Sequence, residues 1–128
     1  MTNRANDWLK QAKRDLKQAR VLKKNKGYEW ACFLAQQSAE KALKGLHLFL
    51  GQEAWGHTIS KLLTELPIGF PKELIDKAKI LDSFYIPTRY PNGFPEGAPY
   101  EHYGRTQAEE AIKYASEIIK FVSSKMAK

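Results

Sequence analysis

The chain has 128 residues, 21 lysines and arginines against 14 aspartates and glutamates, a net charge of +7 and one cysteine. That length suffices for one domain, 1–128, burying about two thirds of the surface its unfolded form exposes, and the lone Cys32 excludes an internal disulfide and suits a reducing cytosol as a small buried hydrophobe. Residues 1–10 lack the apolar core of a secretory signal and the longest apolar run, 30–35, is far too short to cross a bilayer, so the expectation is a cytoplasmic protein without a membrane role.

The excess charge sits at the start: residues 1–26 hold nine basic residues and two acids, whereas the other 102 hold twelve of each sign. Over 6–24, Trp8, Leu9, Ala12, Leu16, Ala19 and Leu22 recur at helical spacing, while Lys10, Lys13, Arg14, Lys17, Arg20 and Lys24 form a basic face. Asp15 lies at the edge of the apolar stripe, where a buried carboxylate needs a lysine or arginine from a neighbouring helix. Gly27 breaks the pattern. A second helix is predicted over 28–50, with one apolar stripe from Tyr28 to Phe49 and another at Trp30, Phe33 and Leu34, which makes it the central helix; Ala35, Ala39 and Ala42 allow close approach of a neighbour, and Gly51 stops it.

Thr58 is placed to cap a short helix carrying Ile59, Leu62, Leu63 and Leu66, and Pro67 ends it. A fourth helix is predicted from near Pro71, burying Leu74, Ile75, Ala78, Leu81, Phe84 and Tyr85 before Pro87 ends or kinks it. The stretch 87–105, PTRYPNGFPEGAPYEHYGR, has four prolines, three glycines, three tyrosines and no helical or strand period, so it is predicted as a long ordered loop of the functional kind. The last helix is expected to open on a capping box of Thr106 and Glu109 and to bury Ala108, Ala111, Ile112, Ala115, Ile118, Ile119 and Val122. The fold class is therefore all-α: an antiparallel up-down bundle of four main helices plus one short helix.

Three segments in this order, WACFLAQQSAEKALK at 30–44, GHTISKLL at 56–63 and YIPTRYP at 85–91, resemble HEPN domains over nearly the whole chain. The resemblance implies a bundle of four main helices and a short one, homodimers, and pairing with a minimal nucleotidyltransferase in toxin–antitoxin type modules. Many relatives are metal-independent ribonucleases that place a histidine four to six residues after an arginine. This chain departs from that motif: Phe94, Pro95 and Glu96 occupy the positions required after Arg89, and none of His47, His57 and His102 has an arginine at the matching distance upstream.

The residue types leave several readings of the long loop open. Tyr85, Arg89, Tyr90, Tyr100, Tyr103 and Arg105 can form a nucleotide or RNA site, with guanidinium groups on phosphate and rings stacked on a base. Arg89 and His102 can converge as a phosphate-holding cation and a proton-moving imidazole, the basis of a ribonuclease alternative. Alternatively the tyrosines pack the loop down, and Arg89 takes Glu96, Glu101 or a carbonyl at a helix end. The basic face can meet RNA or an acidic partner, or simply be solvated. His57 reads as a turn or capping residue, and no metal site or cofactor is expected. The polar Gln36, Gln37, Glu40, Lys41 and Lys44 on the central helix suggest a symmetric dimer in which Glu40 and Lys41 exchange contacts. Together these features favour a binding module over an enzyme, with a purely structural dimerisation domain as a further alternative.

Overall fold

The computed structural model describes residues 4–127, so the first three residues of the polar start lie outside the described chain. Among the described residues every regular element is helical: α1 (Ala5–Lys24), α2 (Tyr28–Phe49), α3 (Ile59–Thr64), α4 (Glu73–Asp82), α5 (Pro99–His102) and α6 (Arg105–Met126), with a 3-10 turn at Pro91–Gly93. No helix among them is long and apolar enough to cross a membrane. Helices α1, α2, α4 and α6 are the four main members and α3 is the short one. The additional turn and α5 correct the expectation of an unbroken loop over 87–105; α5 has only four residues, too few to show a period in sequence.

Helix α2 lies at the centre, packed by α1, α6, α3 and α4. Its alanines Ala31, Ala35, Ala39 and Ala42 are fully buried, as are Ala12 and Ala19 on α1 and Ala108, Ala111 and Ala115 on α6, so backbones approach closely along the seams. Gly45 extends this: a Cβ there would lie 3.0 Å from Cβ of Trp8 and 3.1 Å from the Ala5 carbonyl oxygen. The α1–α2 pair runs antiparallel through the turn at 25–27, where Lys26 adopts φ 65°. Asp15, 6% exposed, meets Lys41 Nζ of α2 at 2.5 Å and the Gln11 amide at 2.8 Å, the partner that its place on the apolar edge demands. Lys77 Nζ and Glu117 Oε1, 2.9 Å apart, tie α4 to α6.

The second apolar stripe of α2 is not core. Trp30 is about half exposed and Phe33 half-buried, because both carry surface aromatic contacts described below. Two helix starts also differ from expectation. Thr58 holds the position before α3, but the side chain that caps it is Asp82, at the end of α4: Oδ1 accepts the Ile59 N–H, and Oδ2 accepts the Ser60 N–H at 3.3 Å and the Ser60 hydroxyl at 2.6 Å. Helix α6 begins before Thr106, with Gly104 as the flanking residue and its N–H donated to Gln107 Oε1 at 2.7 Å, so Gln107 takes the part expected of Glu109.

Candidate functional site: an arginine on an aromatic platform

Helix α4 stops at Asp82, and the chain leaves it through turns that expose backbone carbonyls. Two side chains reach back four residues to take them. The Thr88 hydroxyl, 1% exposed, donates to the Phe84 carbonyl at 2.6 Å, and Arg89 Nε donates to the Tyr85 carbonyl at 2.9 Å. The second bond lays the guanidinium over three rings, with Cζ 4.4 Å from the centre of Phe33, 4.7 Å from Tyr85 and 5.2 Å from Tyr90. Cation–π attraction to three rings holds it in place. No carboxylate among the described residues pairs with Arg89, so four of its five N–H donors are unspent.

The platform is tied to the interior on its other side. His57 stacks on Tyr85, with ring centres 4.6 Å apart and planes 16° from parallel. Its Nδ1 lies 3.1 Å from both oxygens of Glu40, which is 5% exposed on α2 and also takes Lys44 Nζ at 3.1 Å. The His57 carbonyl accepts the Gln36 amide at 2.9 Å. A carboxylate at Nδ1 leaves Nε2 as the outward ring nitrogen, beside a recess lined by Thr58, Asp82, Ser83, Tyr85, Ile86 and Pro87. Trp30 extends the aromatic surface, its ring edge-on to Phe33 at 6.0 Å.

Within the one chain Glu40 holds His57 and Lys44, and Lys41 holds Asp15.

The loop residues proposed as one cluster separate into three places. Tyr85, Arg89 and Tyr90 share the platform. His102 lies elsewhere: its ring is stacked on Phe94 at 3.9 Å and 3°, and Nε2 is bonded to the Glu96 carbonyl at 2.7 Å. Gly97, at φ 83°, makes room for it, since a Cβ there would fall 2.9 Å from His102 Nε2. Tyr103 fits edge-on between Phe84 and Phe94, and burial, followed by nearby Cys32, pushes its phenol up from the ordinary value. Among the described residues Arg89 and His102 have no partner in common. Arg105 is the exposed first residue of α6 and lines a groove with Arg20, Lys23 and Lys24 of α1. Tyr100 is 66% exposed. Phe33, His57 and Glu40, which complete the platform, come from α2 and a connector, and their meeting with Arg89 has no local signature in the sequence.

A helical bundle around an alanine-rich central helix, with the segment after the fourth helix pinned on aromatic residues, defines the class: the chain belongs to the HEPN family, whose domain model matches residues 5–125. Among individual relatives, a protein of Methanocaldococcus jannaschii named as a candidate toxin is 27% identical over 126 residues, which cover 90% of this chain and 83% of that one. A crystal structure from Thermus thermophilus superposes with a TM-score of 0.95 at 52% identity, covering 97% of this chain and 99% of the other. An archaeal HEPN homologue gives 0.85 at 47% identity with 98% and 100% covered, and a HEPN domain protein of Thermotoga maritima gives 0.76 at 36% with 92% and 95% covered.

Proposed function

We propose that this chain is the HEPN component of a toxin–antitoxin type module: a homodimer that engages a minimal nucleotidyltransferase and holds a nucleotide or RNA at the Arg89 platform. The observation that carries the reading is the guanidinium held over the rings of Phe33, Tyr85 and Tyr90 with four donors unspent. A planar cation of that kind receives a phosphate through paired N–H groups, while the neighbouring rings offer a face to a base. Membership of the HEPN family and the likeness to a protein named as a candidate toxin support the module setting.

Binding is favoured over cleavage because His102, the histidine of the ribonuclease alternative, spends Nε2 on the Glu96 carbonyl and lies flat against Phe94. Dimerisation draws support from Trp30 at 49% exposure and Ile86 at 50%, large apolar side chains near the platform that a second subunit can cover.

The test is a thermal-shift titration with ATP and with a short RNA, on the unaltered chain and on Arg89→Ala. Stabilisation by at least one ligand, lost in the variant, is expected; equal shifts in both proteins sink the reading of the site. Co-expression with a nucleotidyltransferase encoded beside the gene, followed by sedimentation, tests partner and dimer together.

A further inference from the structure

The groove between α1 and α6 is lined by Arg20, Lys23, Lys24, Arg105 and Lys113, with Glu109 as the one carboxylate and Ile112 among the lining. Its single ion pair, Lys23 Nζ to Glu109 Oε2, is 4.0 Å long. Among the described residues Arg20, Lys24, Arg105 and Lys113 have no ion-pair partner, and all four are exposed. The groove continues along α1 as the exposed row Lys10, Lys13, Lys17 and Arg20, one cation about every 5 Å of helix rise, with Arg14 alongside. Like charges three and four residues apart on a helix repel, so the row costs the free chain stability.

We infer that the α1–α6 groove binds a sugar–phosphate backbone. A strip of flexible cations, with no ring for stacking in the α1–α6 groove lining and without fixed donors for reading base edges, matches a ligand that presents evenly spaced negative charge and is recognised without regard to sequence. Arg105 and Lys113 bring cations of α6 to a surface whose other cations all belong to α1. This surface is separate from the platform, and the inference does not rest on the Arg89 reading: the ATP titration and the strand titration succeed or fail independently.

The experiment is fluorescence anisotropy with labelled 20-nucleotide RNA and DNA strands of mixed sequence, on three proteins. These are the unaltered chain, the groove variant R20Q/K24Q/R105Q/K113Q, and a charge-matched control, K61Q/K72Q/K79Q/K120Q, whose lysines are exposed and lie outside the groove. For the unaltered chain, four phosphate contacts to a single strand predict about a fiftyfold fall in affinity between 50 and 200 mM salt. That salt response should persist in the control and nearly vanish, together with the binding, in the groove variant. Comparable binding of RNA and DNA is the expected pattern, and a preference for either, lost in the groove variant, supports the inference and identifies the source of the backbone. Binding of neither strand, or equal losses in groove variant and control, overturns it. So does an acidic protein captured by the unaltered chain and released by the groove substitutions while neither strand binds.

Discussion

The Arg89 platform and the α1–α6 groove both present cations, yet they are built in opposite ways. The platform has one guanidinium, and everything around it is fixed: Tyr85 carries Arg89 near its ring, stacks on His57, and through Nδ1 of His57 reaches the buried Glu40. The groove has five cations on flexible stems and one long ion pair. Placement makes the first surface, and the sum of charge makes the second. The difference teaches where each is vulnerable, since a partly buried, stacked cation is screened little by salt whereas exposed charges are screened strongly.

The strongest way to break the comparison is to cut the tether. Glu40→Ala strips Lys44, His57 and the Gln36 amide of a buried acceptor, and should cost about 3 kcal/mol in urea denaturation. The variant should lose ligand at the platform while its groove keeps its salt response. A cost below about 1 kcal/mol, or joint failure of both surfaces, would mean that the tether is not what separates them.

Next in size is a pH effect centred beneath the loop. Burial, with the charge of Glu29 second, pushes the Cys32 thiol from 9.0 up to about 12. The folded chain therefore keeps a proton that the unfolded chain releases. The resulting stability is complete below pH 9 and drains away as pH rises toward 12, by about 1.4 kcal/mol per pH unit. Denaturation of the unaltered chain and of Cys32→Ala across pH 8.5–11 should show the steeper loss in the first protein, the raised Tyr103 phenol leaving a smaller slope near the alkaline end in the second. Smaller still, Asp82→Ala removes the cap of α3 beside the His57 recess and should lower stability by about 1 kcal/mol, most of which Asn restores. At the groove end, Lys26→Gly relieves the positive φ and should raise the thermal midpoint through a gain of about 0.5 kcal/mol, leaving strand affinity unaltered because Lys26 does not line the groove.

The bundle was legible in the chain because apolar residues repeat at helical spacing for long stretches: α1 over Ala5–Lys24 and α2 over Tyr28–Phe49 match the periodic runs to within a residue. Short elements were not, since α5 and the 3-10 turn offer three or four residues with no repeat to read. Helix starts misled where several capping residues lay close together: Gly104 and Gln107 hold the place that Thr106 and Glu109 suggested. For the site, a loop rich in proline and tyrosine pointed to Arg89, but shared membership of a loop carried no information on neighbours. His102 went to Phe94 within the loop itself, Arg105 to a groove with α1, and His57 to Tyr85 from a connector distant in sequence.

The cap that Asp82 supplies to α3 reaches further than its energy. Six residues are too few to hold a helix in water unaided, and the groups that quiet its first turn arrive from a residue more than twenty positions later. Neither segment is then an independent folding unit: α3 acquires its shape when α4 docks. Amide protons of Ile59 and Ser60 should consequently exchange with deuterium in step with those of α4, as one opening event.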